Sequence, residues 1–193
     1  MKRRQFITLV GGAAAWPLAA RAQQAAMPVV GFMGATTPSA QSQWTAAFVQ
    51  RLRELDWIEG RNVAIEYRWM EGRNERAAEI AAEFVRLRVN VIVVQGTAAV
   101  VRARQATSVI PIVFALAGDP VGSGLVESLA RPGGNVTGVT ALSVKVGPKQ
   151  LELLHELIPT QTVMAALVNP TNPGAESQAR DLQEAARTLG VHL

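Results

Sequence analysis

The chain has no cysteine, which excludes structural disulfides, thiolate metal sites, a cysteine nucleophile and lipid attachment through an N-terminal cysteine. Histidine is nearly as scarce, with only His155 and His192 present. His155 falls inside a predicted helix and reads as a surface residue, while His192 sits at the very end of the chain. No grouping of His, Asp and Glu has metal-ligand spacing, so no metal and no other cofactor is expected. Gly122-Ser123-Gly124 lacks the third glycine of a dinucleotide fingerprint, and no phosphate-loop Lys-Ser or Lys-Thr pair exists. Nucleotide chemistry is thereby excluded. Aromatic residues are few, at 5% of the chain. Trp44, Trp57, Tyr67 and Trp69 have flat faces that can stack on an aromatic ligand, but Trp44 and Trp69 satisfy core periodicity and are read as packing.

Acidic residues are missing from the first 22 positions, which hold Lys2, Arg3, Arg4 and Arg21. Those four cations account for the whole formal charge of +4, so the remainder is neutral and carries no signature of a nucleic-acid partner. A charged start, an apolar middle from Phe6 to Ala15 and the small-residue site Ala20-Arg21-Ala22 have the anatomy of an export signal. The apolar part is shorter than the roughly 20 residues of a spanning helix, so the mature protein is expected not to span the membrane. Arg3-Arg4-Gln5-Phe6-Ile7 resembles a twin-arginine core. Lys2 stands where that signal usually has a polar residue, and the general secretion route stays open beside it.

What remains is nearly half apolar and alternates short β-rich runs with helical periodicity, enough for one domain or for one domain and part of a second. Val29 to Met33 is a strand, and Trp44, Phe48, Leu52 and Leu55 form the inner stripe of a helix over 40–55. Glu59-Gly60-Arg61-Asn62 is a turn before the alternating, edge-like strand Val63 to Trp69. A helix over 75–88 turns Ile80, Phe84 and Leu87 inward, and Val91 to Val94 is a continuous apolar strand of the buried parallel type. A short helix over 98–106 and a strand over 110–115 follow. Asp119-Pro120 starts a helix reaching Leu129, and Val136 to Val139 is a fifth strand. From Thr140 the rhythm restarts, with a helix over 147–158 (Leu151, Leu154 and Ile158 inward) and a buried strand over 163–168. A helix over 174–189 then turns Ala179, Leu182 and Ala186 inward, and Val191 begins another strand. One complete strand cannot close a core, so the sequence reads as cut off early in a second domain. The expected divisions are an export signal over 1–22, a first α/β lobe over 23–139, and a crossing segment with the start of a second lobe over 140–193.

Four loops leave the carboxyl ends of the predicted strands: 34–39, 95–98, 116–119 and 169–174. Ligands bind at this edge in open α/β sheets, and the free N–H groups of the helix that follows each loop suit an anionic group. Ser39, Thr97 and Asn172 add side-chain donors there, yet each is equally an ordinary helix cap. Asp119 has the same two readings, a cap before a helix-starting proline or a carboxylate able to pair with a ligand ammonium.

Gly118-Asp119-Pro120-Val121-Gly122-Ser123-Gly124-Leu125-Val126 and Ser128-Leu129-Ala130-Arg131-Pro132-Gly133-Gly134-Asn135-Val136-Thr137-Gly138, taken together, resemble the substrate-binding proteins of ABC importers, in the branch of tryptophan and tyrosine binders. The resemblance extends to the leader, to Glu59-Gly60-Arg61-Asn62 and to Asn169-Pro170-Thr171-Asn172-Pro173. It implies a type I periplasmic-binding fold, a parallel α/β lobe of flavodoxin-like strand order followed here by an incomplete second lobe. It further implies a periplasmic protein that clamps an amino acid or similar small solute and delivers it to an inner-membrane ABC permease, without being an enzyme. Carried over by position, it makes Thr36, Pro38, Ser39, Gly96, Thr97 and Asp119 the first-lobe ligand contacts. Asn169 and Asn172 belong to the second lobe, and Thr140 to Ser143 lie near the crossing. An exported enzyme using Asp119 as acid or base, and the ligand-sensing domain of a receptor, are the alternatives.

Overall fold

A computed structural model describes residues 27–141 and 146–193; the expected export signal and Ser143 lie outside that range. Five strands make one sheet: β1 (Val29–Gly34), β2 (Ala64–Trp69), β3 (Val91–Gln95), β4 (Ile112–Ala117) and β5 (Val136–Thr140). Their order is β2-β1-β3-β4-β5 and every neighbouring pair is parallel, the doubly wound, flavodoxin-like order the resemblance implies. Helices α1 (Ser42–Glu54), α2 (Arg76–Leu87) and α3 (Thr97–Ala106) fill the first three crossovers. Helices α4 (Gly147–Leu157) and α5 (Ala175–Leu189) belong to a second, smaller unit.

Strand periodicity of two divides the apolar residues between the faces of the sheet. Met33, Ile92, Val94, Ile112 and Phe114 join the inner residues of α2 and α3 in the main core. Val30, Phe32, Val63 and Ile65 face the other way, onto Phe48, Val49 and Leu52 of α1. Phe32 is the hub of that face, with ring centroids 5.4 Å from Phe48, 5.6 Å from Tyr67 and 5.7 Å from Trp69. Phe84 is fully buried because β1 offers it a gap. A Cβ on Gly31 would come within 2.8 Å of the Phe84 ring, so only glycine lets the ring lie flat on the strand.

Several expected faces differ from the observed ones. Trp44 is 64% exposed and Leu55 54%; α1 meets the sheet through Phe48, Val49 and Leu52, a narrower stripe than the spacing predicts. Leu87, Leu154 and Ile158 are likewise exposed, and each stands in the last turn of its helix or just past it. No helix follows Asp119. The Asp119 carboxylate accepts the Gly122 amide at 2.9 Å, and Gly124, at φ +66, reverses the chain after a single turn. Leu125 and Val126 then both enter the main core. The stretch ending at Gly138 packs tightly against β4, where a Cβ would lie 2.1 Å from the Phe114 carbonyl oxygen. Asn135 ties that stretch down, donating from Nδ2 to the Thr107 and Ile110 carbonyls at 3.1 and 2.8 Å.

In the second unit, Leu151, Met164, Leu182, Ala186 and Val191 form a separate small core. The expected strand over 163–168 is reduced to one parallel bridge between Val163 and His192. Val163 and Leu167 are exposed; the bridge engages only the start of the run, and no strand pairs with the rest among the described residues.

Phe84→Ala removes a buried ring from the α2–sheet contact and is expected to cost about 3–5 kcal/mol, read as a lowered denaturant midpoint. Arg68 on β2 reaches Glu83 on α2 at 2.6 Å, and its hydrogen bond to Glu83, more than its charge, holds that carboxyl below the usual range. A carboxylate lowered on folding stabilises above its unfolded pKa, and the stabilisation is lost as pH falls through the folded value. Both side chains are about one-third exposed, so solvent screens the pair to below about 1 kcal/mol. Thermal melts should therefore find Glu83→Gln slightly less stable than wild type near neutrality, with the difference vanishing at acid pH.

Candidate ligand cleft

Parallel pairing brings the carboxyl ends of β1, β3 and β4 to one edge of the sheet. Gly34, Gln95 and Ala117 end these strands, and the loops leaving them run side by side. Thr97 links two of them, its Oγ1 accepting the Gly118 amide at 3.1 Å. Thr140, at the end of β5, donates its hydroxyl to the Ala117 carbonyl at 2.7 Å. The edge is thus stitched by hydroxyls before any ligand is considered.

Opposite this edge stands the loop that carries Asn169 and Asn172. Between the two is a cleft of about 180 Å³, walled on one side by Gln95, Gly96 and Thr97 and on the other by Asn169 and Asn172. Ala35, Met70 and Asn74 complete the first wall. Four sequence-predicted site residues, Gly96, Thr97, Asn169 and Asn172, therefore meet in one place although they come from separate units. Thr36, Pro38 and Ser39 do not line the cleft. Thr36 offers its amide to Gln41 at 3.1 Å, and Pro38 and Ser39 form an exposed turn in which the Ser39 and Thr37 hydroxyls lie 3.1 Å apart. Asp119 and Thr140 also stand outside the lining, each engaged in the hydrogen bond already described.

Among the described residues, no charged side chain lines the cleft. Its electrostatics come instead from backbone: the first turn of α3 borders it through Thr97, Ala98 and Ala99, and the free N–H groups of that turn carry partial positive charge. Gly96 makes the approach possible, with φ +84, a conformation other residues adopt only with strain. The groups with shifted pKa values lie elsewhere. Burial, then the Glu59 carboxylate, pushes Tyr67 up to about 12, while Arg76 and then Arg73 hold Glu71 below the usual carboxylate range. Among the described residues, no acid or base with a shifted pKa lines the cleft.

Gln41, Gln95, Met70 and Asn74 were not among the predicted site residues. Gln41 is only 2% exposed, a burial that glutamine rarely has unless it is hydrogen-bonded. Its Oε1 accepts the Thr36 amide at 3.1 Å and its Nε2 donates to Gln95 Oε1. The available signal was local: Gln95 is a polar residue closing an apolar strand at the ligand edge. Nothing local marks Gln41, which reads as one more polar residue near the start of a helix.

The family model described as "ABC transporter substrate binding protein" matches residues 22–193. The tyrosine-binding protein of Clostridioides difficile is 30% identical over 141 residues, covering 72% of this chain and 40% of that relative. Among solved structures, a conserved domain protein of Vibrio cholerae superposes with a TM-score of 0.77 at 30% identity, covering 87% of this chain and 56% of its own. A Streptococcus pneumoniae domain solved with L-Trp gives 0.72 at 24% identity, covering 86% and 56%. The chain thus spans about half the length of these solved relatives and 40% of the curated one. A family match running from residue 22 to the last residue, over a fold and cleft of this kind, places the chain in the ABC transporter substrate-binding protein family.

Proposed function

We propose that this chain is the solute-capturing component of an ABC importer, working in the periplasm and binding an amino acid or similar small solute between two α/β lobes. The observation that carries this reading is the cleft at the carboxyl edge of the sheet, where Gln95, Gly96 and Thr97 face Asn169 and Asn172 across 180 Å³. A site made of two facing walls on separate units can bury a ligand by closing one unit on the other. The first lobe corresponds to residues 23–139 and the second begins at residue 140. The tyrosine-binding relative at 30% identity favours an amino acid as the solute. A lining without charged side chains or an acid–base pair favours capture and release over turnover, so the chain is read as a carrier and not as an enzyme.

Residues 1–22 serve in this reading as the export signal, by the twin-arginine or the general route. No described helix is long and apolar enough to cross a membrane, and the partner that receives the solute is an inner-membrane permease.

Calorimetric titration with L-tyrosine, L-tryptophan and L-leucine is expected to give saturable one-to-one binding of at least one of them. Thr97→Val, which removes the hydroxyl at the cleft wall, should weaken that binding by about tenfold, the worth of one hydrogen bond. Absence of binding to all three would sink the amino-acid reading. Steady turnover of a solute, abolished by Asp119→Asn, would replace it with that of an exported enzyme.

A further inference from the structure

The polarity of the cleft wall is set from beneath it, by Gln41. A backbone N–H can only donate, so the Gln41 atom that faces the Thr36 amide at 3.1 Å must be the carboxamide oxygen, which fixes the orientation of the group. The nitrogen then points toward β3, where it donates to Gln95 Oε1. With its oxygen used inward, Gln95 keeps Nε2 as its free polar atom, and Gln95 lines the cleft. The amide of Thr36 therefore decides, through two side chains, that this position offers a donor to whatever enters.

Three of the other polar residues of the two walls have the same sense, while the Asn74 carboxamide has no hydrogen bond among the described residues that fixes its orientation and can offer either end. Thr97 Oγ1 already accepts from Gly118, leaving its hydroxyl proton to donate. Asn169 Oδ1 accepts both the amide and the hydroxyl of Thr171, at 3.0 and 2.9 Å. Asn172 Oδ1 accepts the Gly174 amide at 3.2 Å, so each asparagine also keeps its nitrogen free. A ligand group placed here meets N–H and O–H ends from Gln95, Thr97, Asn169 and Asn172. A carboxylate, which only accepts, satisfies them all; an ammonium, which only donates, satisfies none.

We propose that Gln41 is a positioning residue that orients Gln95 so that the cleft wall receives the carboxylate end of the ligand, leaving the ammonium to be met outside this wall. The ligand class rests on the amino-acid reading above; the orientation of the two glutamines does not. Gln41→Glu separates this role from simple structural support. At a pH high enough to ionise it, the glutamate keeps an oxygen for the Thr36 amide and stays within reach of Gln95 but can only accept, so Gln95 must turn its nitrogen inward and its oxygen toward the cleft.

The first measurement needs no ligand: hydrogen exchange of the glutamine side-chain amides by NMR. In the wild type the Gln41 NH2 should be protected and the Gln95 NH2 should exchange freely; in Gln41→Glu the Gln95 NH2 should become protected. Protection of Gln95 in the wild type would overturn the proposal. The second compares L-tyrosine with tyramine, and L-tryptophan with tryptamine, amines that lack the carboxylate. The wild type should prefer the amino acid, and Gln41→Glu should reduce that preference at least tenfold. An unchanged preference in a variant with wild-type melting temperature would refute the idea. If Gln41→Glu does not fold, Gln95→Glu carries this arm, because it keeps the Gln41 contact while replacing the free nitrogen with oxygen. If the exchange pattern holds but no amino acid binds, the glutamine relay stands and the amino-acid reading alone falls.

Discussion

Parallel strand pairing is the constraint on which the remaining structure depends. Strands that run the same way must be joined by crossovers, so β1, β3 and β4 all end at one edge and all release their loops there. The hydrophobic effect enforces the pairing: β3, at the middle of the order, buries Ile92 and Val94 completely. Once that register is fixed, Gly96 and Thr97 stand at the site whatever their own preferences. Their chemistry is borrowed by the cleft, but their position belongs to the core.

The same constraint explains which parts of the fold were legible in the sequence. Runs such as Val91 to Val94 announce a buried strand because burial is a property of the run itself. Trp44 was misplaced because helical spacing states that residues share a face, not how wide a stripe the neighbouring element covers. Phe48 and Leu52 contact the sheet, and Trp44, one turn earlier, projects past it. The missing helix after Asp119 has a different cause. Asp-Pro opens a helix and a tight turn equally well, and the glycines that follow decide between them. Gly122 lies so close to the Asp119 carboxylate that a Cβ would meet Oδ2 at 2.3 Å, and Gly124 takes the left-handed conformation. The strand expected over 163–168 failed for want of partners: β-rich composition supplies a willing strand, but pairing requires a neighbour, and among the described residues His192 alone bridges to Val163.

Within the candidate site, residues at strand ends were legible and their bonding was not. Thr97 opens α3 and Asn172 stands before α5, where cap chemistry and ligand chemistry ask for the same residue types, yet neither side chain makes a cap hydrogen bond to its helix. Their oxygens instead accept the Gly118 and Gly174 amides. Asp119 shows the opposite outcome, its Oδ1 committed to the turn it heads and its position outside the cleft wall. Gln41 escaped notice because its importance lies in a contact fifty-four positions away, which no periodicity encodes.

A cleft lined by neutral groups suits a carrier for a physical reason. A charged side chain in a closing site must shed its water, and unless the ligand pairs it well the desolvation outweighs the attraction. Neutral donors and a helix N-terminus hold a carboxylate at lower desolvation cost, which in the proposed carrier role would let the site take up its ligand and release it again. Such donors are useful only if they all point the right way. A carboxamide that flips turns a donor into an acceptor, and an oxygen opposite a carboxylate repels it. Fixing Gln95 through a buried partner, itself fixed by a backbone amide, removes that freedom before the ligand arrives. On the proposed role of Gln41, specificity at this wall resides less in the residue that would touch the ligand than in the one beneath it.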